Sequence, residues 1–197
     1  MSEDLILASG SAIRAQVLSG AAVPFRVIKS SVDEEAIKRA NPMMEPAKIA
    51  ALLGAAKACD VSRDYPGALV LGADQTMELD GELLDKLPQR DLARDRLMSM
   101  RGKAHYLHSG LCLAREGEPV WQNAQTSTLH VRDFTPRFLD YYLENAGDEL
   151  TASVGAYAYE GLGAQLFERV DGDFFAILGM PLNPLLEALR GFGIVEP

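Results

Sequence analysis

Carboxylates and cations are the residue types in this chain of 197 residues that could do chemistry. Asp74 is the only charged side chain between Ala68 and Met77, a run whose apolar character predicts a buried strand. A carboxylate in a buried strand costs roughly several kcal/mol unless a cation, a metal ion or hydrogen-bond donors compensate it. Asp74 is therefore expected either to have a structural partner at the strand end or to act as a reactive or metal-binding carboxylate.

The segment Ser9-Gly10-Ser11, followed by Arg14, could bind a phosphate group. An apolar run over residues 5–8 predicts a strand that stops at these small residues, and a helical pattern follows. The N-terminus of a helix offers unpaired N–H groups and the positive end of the helix dipole, and Arg14 would add a bidentate donor one turn further on. The same residues are equally compatible with a capping serine and a surface arginine.

Three further charged positions are compatible with chemistry and with an ordinary surface role. Lys57 follows Ala50 and Leu53 on one helical stripe, so its stem is expected against the core while its ammonium reaches a partner or solvent. The acidic run Asp33-Glu34-Glu35, expected on a loop, could supply a metal ligand or be merely solvated. Lys86, just past a predicted turn, is by itself an unremarkable surface lysine.

A glycine-rich segment over residues 155–163 carries two tyrosines, Tyr157 and Tyr159, together with Glu160. It is interpreted as a flexible aromatic loop that could hold a planar ring, with a plain turn region as the simpler alternative. His105, His108 and His130 have no metal-ligand companions at a recognisable spacing, so each is expected to be an ordinary residue.

Composition excludes several classes of protein. With 48% hydrophobic and 24% charged residues the chain is globular, and a net charge of −9 has the wrong sign for binding a nucleic acid polymer. No apolar stretch approaches the roughly 18 residues that cross a bilayer, and residues 1–4 lead into the first strand without a basic leader. Cys59 and Cys112 stand alone, which favours a reducing cytoplasm and argues against a zinc or disulfide scaffold. The chain also lacks GxxxxGK[ST], GxGxxG, GxSxG and HExxH motifs.

Strands interspersed with helices and hairpins predict a single mixed-sheet α/β domain over residues 1–197. Short strands are expected over residues 5–8, 25–28 and 68–77, a hairpin turn at Asp80-Gly81, and helices over 13–20, 46–58 and 89–100. The uncharged stretch 49–56 should be buried nearly all round. Strands over 105–114 and 120–131 are expected to flank a turn at 116–118, followed by a helix over 136–143, a third hairpin of 166–170 with 174–178, and a last helix from Pro181 to Gly191.

The sequence resembles the Maf family of nucleoside triphosphate pyrophosphatases over almost its whole length. Eight motifs occur in family order. They are residues 5–11 with Arg14, Val32-Asp33-Glu34, Ala56-Lys57-Ala58, Gly72-Ala73-Asp74-Gln75, Asp85-Lys86, residues 102–110, residues 160–168, and Gly179-Met180-Pro181-Leu182. Leu87 departs from the proline that follows the family's lysine at Lys86.

This resemblance implies an α/β fold with an elongated mixed β-sheet, two lobes and a central cleft, similar to Maf proteins and inosine triphosphatases, and often a homodimer. It also implies hydrolysis of a nucleoside triphosphate to a monophosphate and pyrophosphate with a divalent cation, Mg²⁺ or Mn²⁺. Neither a nucleic acid polymer nor a membrane is expected as a partner. The motifs assign Asp74 as proton acceptor, Lys57 and Lys86 as further catalytic residues, Ser9, Gly10, Ser11 and Arg14 as substrate-binding residues, and Glu34 and Asp74 as metal ligands.

Substrate preference in the resembled family divides at positions that match Ile13, Gln75 and Glu160. Gln75 and Glu160 are similar to the group that prefers 7-methyl-GTP, whose ring is positively charged and suits a carboxylate. Ile13 departs from the bulky aromatic residue usual in that group, and Tyr157 or Tyr159 is expected to stack on the base. The favoured substrate is therefore 7-methyl-GTP, with other modified or canonical triphosphates as the fallback.

Two other functions stay open at this point. The first is a nucleotide-binding regulator of cell division with little turnover, since the family is also linked with inhibition of septum formation. The second is a phosphatase that uses the same cations to release phosphate. The intact Asp74, Lys57 and Lys86 argue against an inactive enzyme.

Overall fold

The computed structural model describes residues 4–196. The sequence prediction that no basic leader precedes the first strand concerns residues 1–4. Residues 1–3 of that segment lie outside the described range. The chain divides into two compact units. The first consists of the described residues up to Gln75, His108–Gln125 and those from Asp173 onward, and the second consists of Thr76–Leu107 and Thr126–Gly172. No helix among the described residues is both long and apolar enough to span a bilayer.

Within residues 4–196, seven strands form one mixed sheet, which confirms the predicted α/β class. The strands are β1 Asp4–Leu7, β2 Arg26–Val27, β3 Ala68–Leu79, β4 Glu82–Leu84, β5 Ala104–Arg115, β6 Glu118–Val131 and β7 Phe167–Asp171. Their order is β2-β1-β3-β5-β6-β7, and β4 pairs with β3. The helices are α1 Ala12–Gly20, α2 Glu34–Ala40, α3 Pro46–Asp64, α4 Ala93–Met100, α5 Pro136–Asn145, α6 Glu149–Ala152, α7 Phe174–Ile177 and α8 Leu182–Gly191, with 3₁₀ turns at Arg90–Leu92 and Leu162–Leu166.

Strands β2, β1 and β3 run parallel, and β1 and β2 end in the same row, whereas β3 continues past it to Leu79. Leu7 is in register with Val27 of β2 and with Leu71 of β3. Beyond this row, Ala8 N donates to Leu71 O at 2.8 Å and Ile28 N donates to Leu7 O at 3.1 Å. The carboxyl ends of parallel strands are where open α/β sheets bind ligands. Ser9-Gly10-Ser11 follows the end of β1 here, and Asp74 lies within β3, three residues beyond Leu71.

Apolar side chains cover both faces of these parallel strands. Leu5 and Leu7 belong to the cluster formed with α1 and α8, whereas Ile6 packs with Val70 and Val61 in a second cluster. Because successive side chains of a strand point to opposite faces, helices must cover the sheet on both sides. This two-sided burial explains why the first strand reads as a continuous apolar run.

Two predicted hairpins are confirmed. Asp80 and Gly81 have φ values of 54° and 86°, and Glu116 and Gly117 have φ values of 50° and 86°. Positive φ at both central residues is the two-residue turn whose twist matches that of the flanking strands, and glycine adopts it without strain. These turns join β3 to β4 and β5 to β6.

The third predicted hairpin is wrong. Only its first half is a strand, β7, and residues 174–177 form the short helix α7. The Asp173 side chain accepts from Ala176 N at 3.0 Å, which caps a helix at the point where the turn was expected. A capping aspartate after glycine was therefore misread as part of a turn.

The predicted acidic loop is wrong in the same way. Asp33 is the N-cap of α2, with Oδ1 accepting from Ala36 N at 2.9 Å, and Glu34 and Glu35 occupy the first helical turn. Acidic residues are favoured there because the helix dipole is positive at its N-terminus. Glu34 therefore has a fixed helical backbone.

Helix α3 is longer and less completely buried than predicted. It continues beyond residue 58 to Asp64, because Val61 and Ser62 are still buried and Gly117 N donates to Ser62 Oγ at 2.9 Å. Leu52 is 37% exposed, so the uncharged stretch is not buried all round. One side of α3 faces the sheet and the other meets solvent.

Candidate active site

A buried ion pair joins helix α3 to strand β3. Lys57 Nζ lies 2.6 Å from Asp74 Oδ1, and each residue is only 7% exposed. Burial raises the pKa of Asp74, while the charges of Lys57 and Arg14 act in the opposite direction. The partner that the lone strand carboxylate required is therefore Lys57, and the ammonium does not extend into solvent as an isolated surface charge.

Three glycines allow α3 to lie unusually close to the sheet. A Cβ atom on Gly72 would lie 2.1 Å from Gly54 O, and one on Gly110 would lie 2.4 Å from Ala50 O. A Cβ on Gly54 would meet Gly110 O at 2.7 Å. Lys57 comes one turn after Gly54, and Asp74 two residues after Gly72, so the glycine contact brings the ion pair together. Sequence reasoning missed this contact, although glycine inside a buried strand often marks a close backbone approach.

Glu34 shares the same ammonium. Its Oε1 lies 2.8 Å from Lys57 Nζ, and 44% of its side chain is exposed. One lysine thus bridges a buried carboxylate on β3 and a half-exposed carboxylate on α2. Glu34, Lys57 and Asp74, which come from separate motifs, thus lie in contact with one another through the Lys57 ammonium.

The guanidinium of Arg14 is fixed by oxygen atoms of the protein. It donates to Ser9 Oγ at 3.1 Å, to Ala73 O at 3.0 Å and to Gly179 O at 3.0 Å. Burial lowers the pKa of Arg14, but an arginine remains charged in a protein. Arg14 therefore ties the turn after β1 to the middle of β3 and holds a positive charge next to Asp74.

Ser9 and Ser11 shape the turn between β1 and α1. Ser9 Oγ accepts from Ser11 N at 3.3 Å, and Ser11 is the N-cap whose Oγ accepts from Arg14 N at 3.5 Å. The capping serine proposed from sequence is thus present. The surface arginine is not, since Arg14 turns inward to Ser9.

The three positions linked with base preference have different surroundings. Gln75 Nε2 lies 3.1 Å from Ser109 Oγ and 3.0 Å from both Ala176 O and Ile177 O, so it fastens α7 to the sheet. Ile13 is half-buried on α1 in the first unit. Glu160 is exposed and belongs to the second unit, as does the exposed Lys86.

The expectation that Tyr157 stacks on a base is wrong. Tyr157 is 6% exposed, its hydroxyl lies 2.7 Å from His105 Nε2, and its ring centroid lies 4.9 Å from that of Phe167. Tyr142 Oη donates to Ala156 O at 3.0 Å within the same segment. The glycine-rich segment is therefore anchored in the core of the second unit. Tyr159 is half-buried, with its ring 5.7 Å from Phe167.

Known proteins resemble this chain from end to end. A sequence profile described as Maf-like protein matches residues 4–192. The chain belongs to the Maf family.

Relatives of this Maf-family chain carry two kinds of name. A protein of Maricaulis maris (strain MCS10), named nucleoside triphosphate pyrophosphatase, is 63% identical over 191 residues, 97% of each chain. A protein of Paramagnetospirillum magneticum (strain ATCC 700264 / AMB-1) with the same name is 45% identical, covering 98% of this chain and 100% of its own. A protein of Bartonella quintana (strain Toulouse), named 7-methyl-GTP pyrophosphatase, is 41% identical, covering 99% of this chain and 98% of its own. The expected family and the expected enzyme class, a hydrolase, are confirmed.

Proposed function

We propose that this Maf-family chain hydrolyses a nucleoside triphosphate to a nucleoside monophosphate and pyrophosphate. The observation that carries the proposal is the buried Lys57–Asp74 pair, whose carboxylate lies on β3 beside the Ser9-Gly10-Ser11 turn that follows β1. The names of the relatives from Maricaulis maris and Paramagnetospirillum magneticum support the same reaction.

In the proposed reaction the oxygen of a water molecule attacks the α-phosphorus atom in line with the bond to be broken. The bond between the α-phosphorus and the bridging oxygen breaks, and its electron pair leaves with pyrophosphate. Asp74 takes the proton of the attacking water. Lys57 Nζ donates a hydrogen bond to Oδ1 of Asp74. The other carboxylate oxygen is therefore the one that faces the water.

Positive groups balance the charge of the triphosphate and of the leaving pyrophosphate. The turn at Ser9-Gly10-Ser11 and the N-terminus of α1 supply backbone N–H groups, and Arg14 and Lys57 supply fixed charges. Lys86 is proposed as a further catalytic residue because it matches the family motif at Asp85-Lys86. Arg14 is already bound to Ser9 Oγ and two carbonyl oxygens, so it acts mainly through its charge and by fixing the turn.

The two carboxylates that meet at Lys57 fit a hard divalent cation. No group of three or more His, Cys, Asp or Glu residues suited to a metal ion occurs among the described residues. Mg²⁺ is commonly bound by one or two carboxylates together with substrate phosphates, and Asp74 and Glu34 supply that number. Bound there, Mg²⁺ or Mn²⁺ would neutralise charge on the phosphate oxygens.

The favoured substrate is 7-methyl-GTP, with other modified or canonical triphosphates as the alternative. Glu160 offers a carboxylate to the positive ring, and its exposure leaves it free to do so. The relative from Bartonella quintana carries this substrate in its name, whereas the more similar relative from Maricaulis maris carries only the general class. For the chain as a whole we further propose a cytoplasmic location, with which the free thiols of Cys59 and Cys112 agree, and a homodimer.

Product analysis in H₂¹⁸O tests the proposal. Purified protein and Mg²⁺ are incubated with a panel of nucleoside triphosphates that includes 7-methyl-GTP, GTP and UTP, and the products are separated by mass. We expect nucleoside monophosphate that carries ¹⁸O, together with pyrophosphate that carries none. Diphosphate with labelled phosphate would identify a phosphatase, and bound nucleotide without products would favour the regulator of cell division.

A further inference from the structure

Lys29 is a positive residue at the proposed site that the family motifs do not include. Strand β2 runs parallel to β1, with Val27 in register with Leu7. Lys29 follows this row by two residues and Ser9 follows it by two residues on β1, so both leave the sheet at the same edge. Its place was not visible from sequence because β2 has only two residues and no distinctive turn.

The side chain of Lys29 lies directly against Gly10. A Cβ atom on Gly10 would lie 3.0 Å from Lys29 Cε, 3.4 Å from Cδ and 3.6 Å from Nζ. Glycine at this position lets the lysine stem cross the turn, and the ammonium ends beside the backbone that is proposed to bind phosphate. The approach is therefore set by the chain, although Lys29 is exposed.

The backbone on both sides of Lys29 is held in place. Before it, Ile28 N donates to Leu7 O at 3.1 Å. After it, Ser31 N donates to Asp60 Oδ2 at 2.7 Å, and Asp60 belongs to α3. Lys29 thus projects from a segment that is tied to both β1 and α3.

Lys29 differs from Lys57 and Arg14, the other first-unit cations proposed for the site, in having no protein partner among the described residues. Lys57 is paired with Asp74 and Glu34, and Arg14 is bound to three protein oxygens. In the described part of the chain, no carboxylate forms an ion pair with Lys29. A positive charge without a counterion in a protein of net charge −9 is available for an anionic ligand.

We propose that Lys29 binds the pyrophosphate portion of the substrate, the β- and γ-phosphates. This inference rests on the proposed function. In the strand order β2-β1-β3, Lys29 and Asp74 come from strands on opposite sides of β1, whose backbones are about 10 Å apart at two strand spacings. If Asp74 directs water at the α-phosphate, a cation on the far side of the turn meets the phosphates that leave. Lys29 is therefore a binding residue for the leaving group, and not a proton donor or acceptor.

Calorimetric titration with inorganic pyrophosphate and, separately, with nucleoside monophosphate in the presence of Mg²⁺ tests this role. For Lys29→Met, which keeps the length of the stem, we expect the Kd of pyrophosphate to rise about tenfold, the value of one charge-assisted hydrogen bond. The Kd of the monophosphate should not change. Lys29→Arg should restore pyrophosphate binding, and Gly10→Ala, which displaces the lysine stem, should weaken it.

The control variant is Lys48→Met, another exposed lysine of the first unit, whose ammonium pairs with Glu45 at 3.0 Å. It should bind pyrophosphate as the wild type does. Equal pyrophosphate affinity in wild type and Lys29→Met would overturn the role of Lys29. If the wild type still hydrolyses triphosphates in that case, the proposed function is unaffected. A wild type that binds pyrophosphate but does not hydrolyse triphosphates would refute the proposed function alone, and one that binds no pyrophosphate would refute both.

Discussion

Gly72 on β3 and Gly54 on α3 lie so close that a single methyl group cannot be placed between them. The Cβ of an alanine at position 72 would lie 2.1 Å from the carbonyl oxygen of Gly54 and 2.5 Å from the amide nitrogen of Ala58. The obstacle is backbone, which cannot rotate away as a side chain can. This contact sets the distance between the helix that carries Lys57 and the strand that carries Asp74.

Gly72→Ala is therefore expected to separate α3 from the sheet. The free energy of unfolding should fall by about 3 kcal/mol, the cost of overpacking at a site without room. Activity should fall as well, because the Lys57–Asp74 contact lengthens. Urea denaturation and steady-state kinetics measure the two effects. Gly67→Ala is the matched control, because nothing lies within 4 Å of its Cβ, and it should change neither quantity.

Lys57→Met removes the charge that compensates Asp74. A buried carboxylate that loses its partner destabilises a protein by about 3–5 kcal/mol, part of which is recovered when the carboxyl group takes up a proton. We expect a lower melting temperature and loss of turnover, with both defects larger than those of Lys48→Met. A Lys57→Met protein with wild-type kcat would show that the buried pair is structural only.

The raised pKa of Asp74 predicts the pH dependence of the reaction. Burial shifts this pKa upward, so the carboxylate forms only at a higher pH than that of an ordinary aspartate. The activity of the wild type should rise with pH through that raised value, since the charged form accepts the proton of water. Because the folded state binds the proton more tightly than the unfolded state, the stability contribution of Asp74 is full below its ordinary pKa and is lost as pH rises through the raised one. The two effects are measured as kcat/KM and as the urea midpoint, each against pH, for wild type and Asp74→Asn. If Asp74→Asn shows the same two pH profiles as the wild type, Asp74 is not the group that titrates.

Much of the fold could be predicted from the sequence because local patterns determine it. The turns at Asp80-Gly81 and Glu116-Gly117 need two residues of positive φ, and apolar runs on either side mark the strands. The helix at Glu34 and the helix after Asp173 were missed because a capping aspartate next to glycine or glutamate also suits a turn or a loop. In both places the helix is short, so its periodicity is weak.

The candidate site was predictable to a different degree for each residue. Asp74 could be found as the one charge in an apolar strand. The contacts of Lys29 with Gly10 and of Gly72 with Gly54 depend on strand pairing and on helix packing between residues far apart in the chain, which no local pattern reports. The position of Tyr157 was misjudged because glycine neighbours suggested mobility, whereas its hydroxyl is bound to His105.

His105 predicts an acid sensitivity in the second unit. The residue is fully buried, and burial lowers its pKa to about 4. Its depressed pKa contributes stability that is present above the ordinary histidine value of about 6.5 and is lost as pH falls through 4. Melting temperatures between pH 7 and pH 4 should therefore fall less in His105→Gln than in the wild type. The prediction fails if both proteins lose stability in parallel.

The most direct test of the central claim is the rate of pyrophosphate release by Asp74→Asn, measured with saturating Mg²⁺ and the best substrate of the panel. Asparagine keeps the shape of the side chain and can still accept from Lys57, but it cannot take the proton of water. We expect kcat to fall about 10²–10⁴-fold, while Asp133→Asn, a change at an exposed aspartate of the second unit that pairs with Arg101, leaves it unchanged. Pyrophosphate release by Asp74→Asn at the wild-type rate would contradict the account.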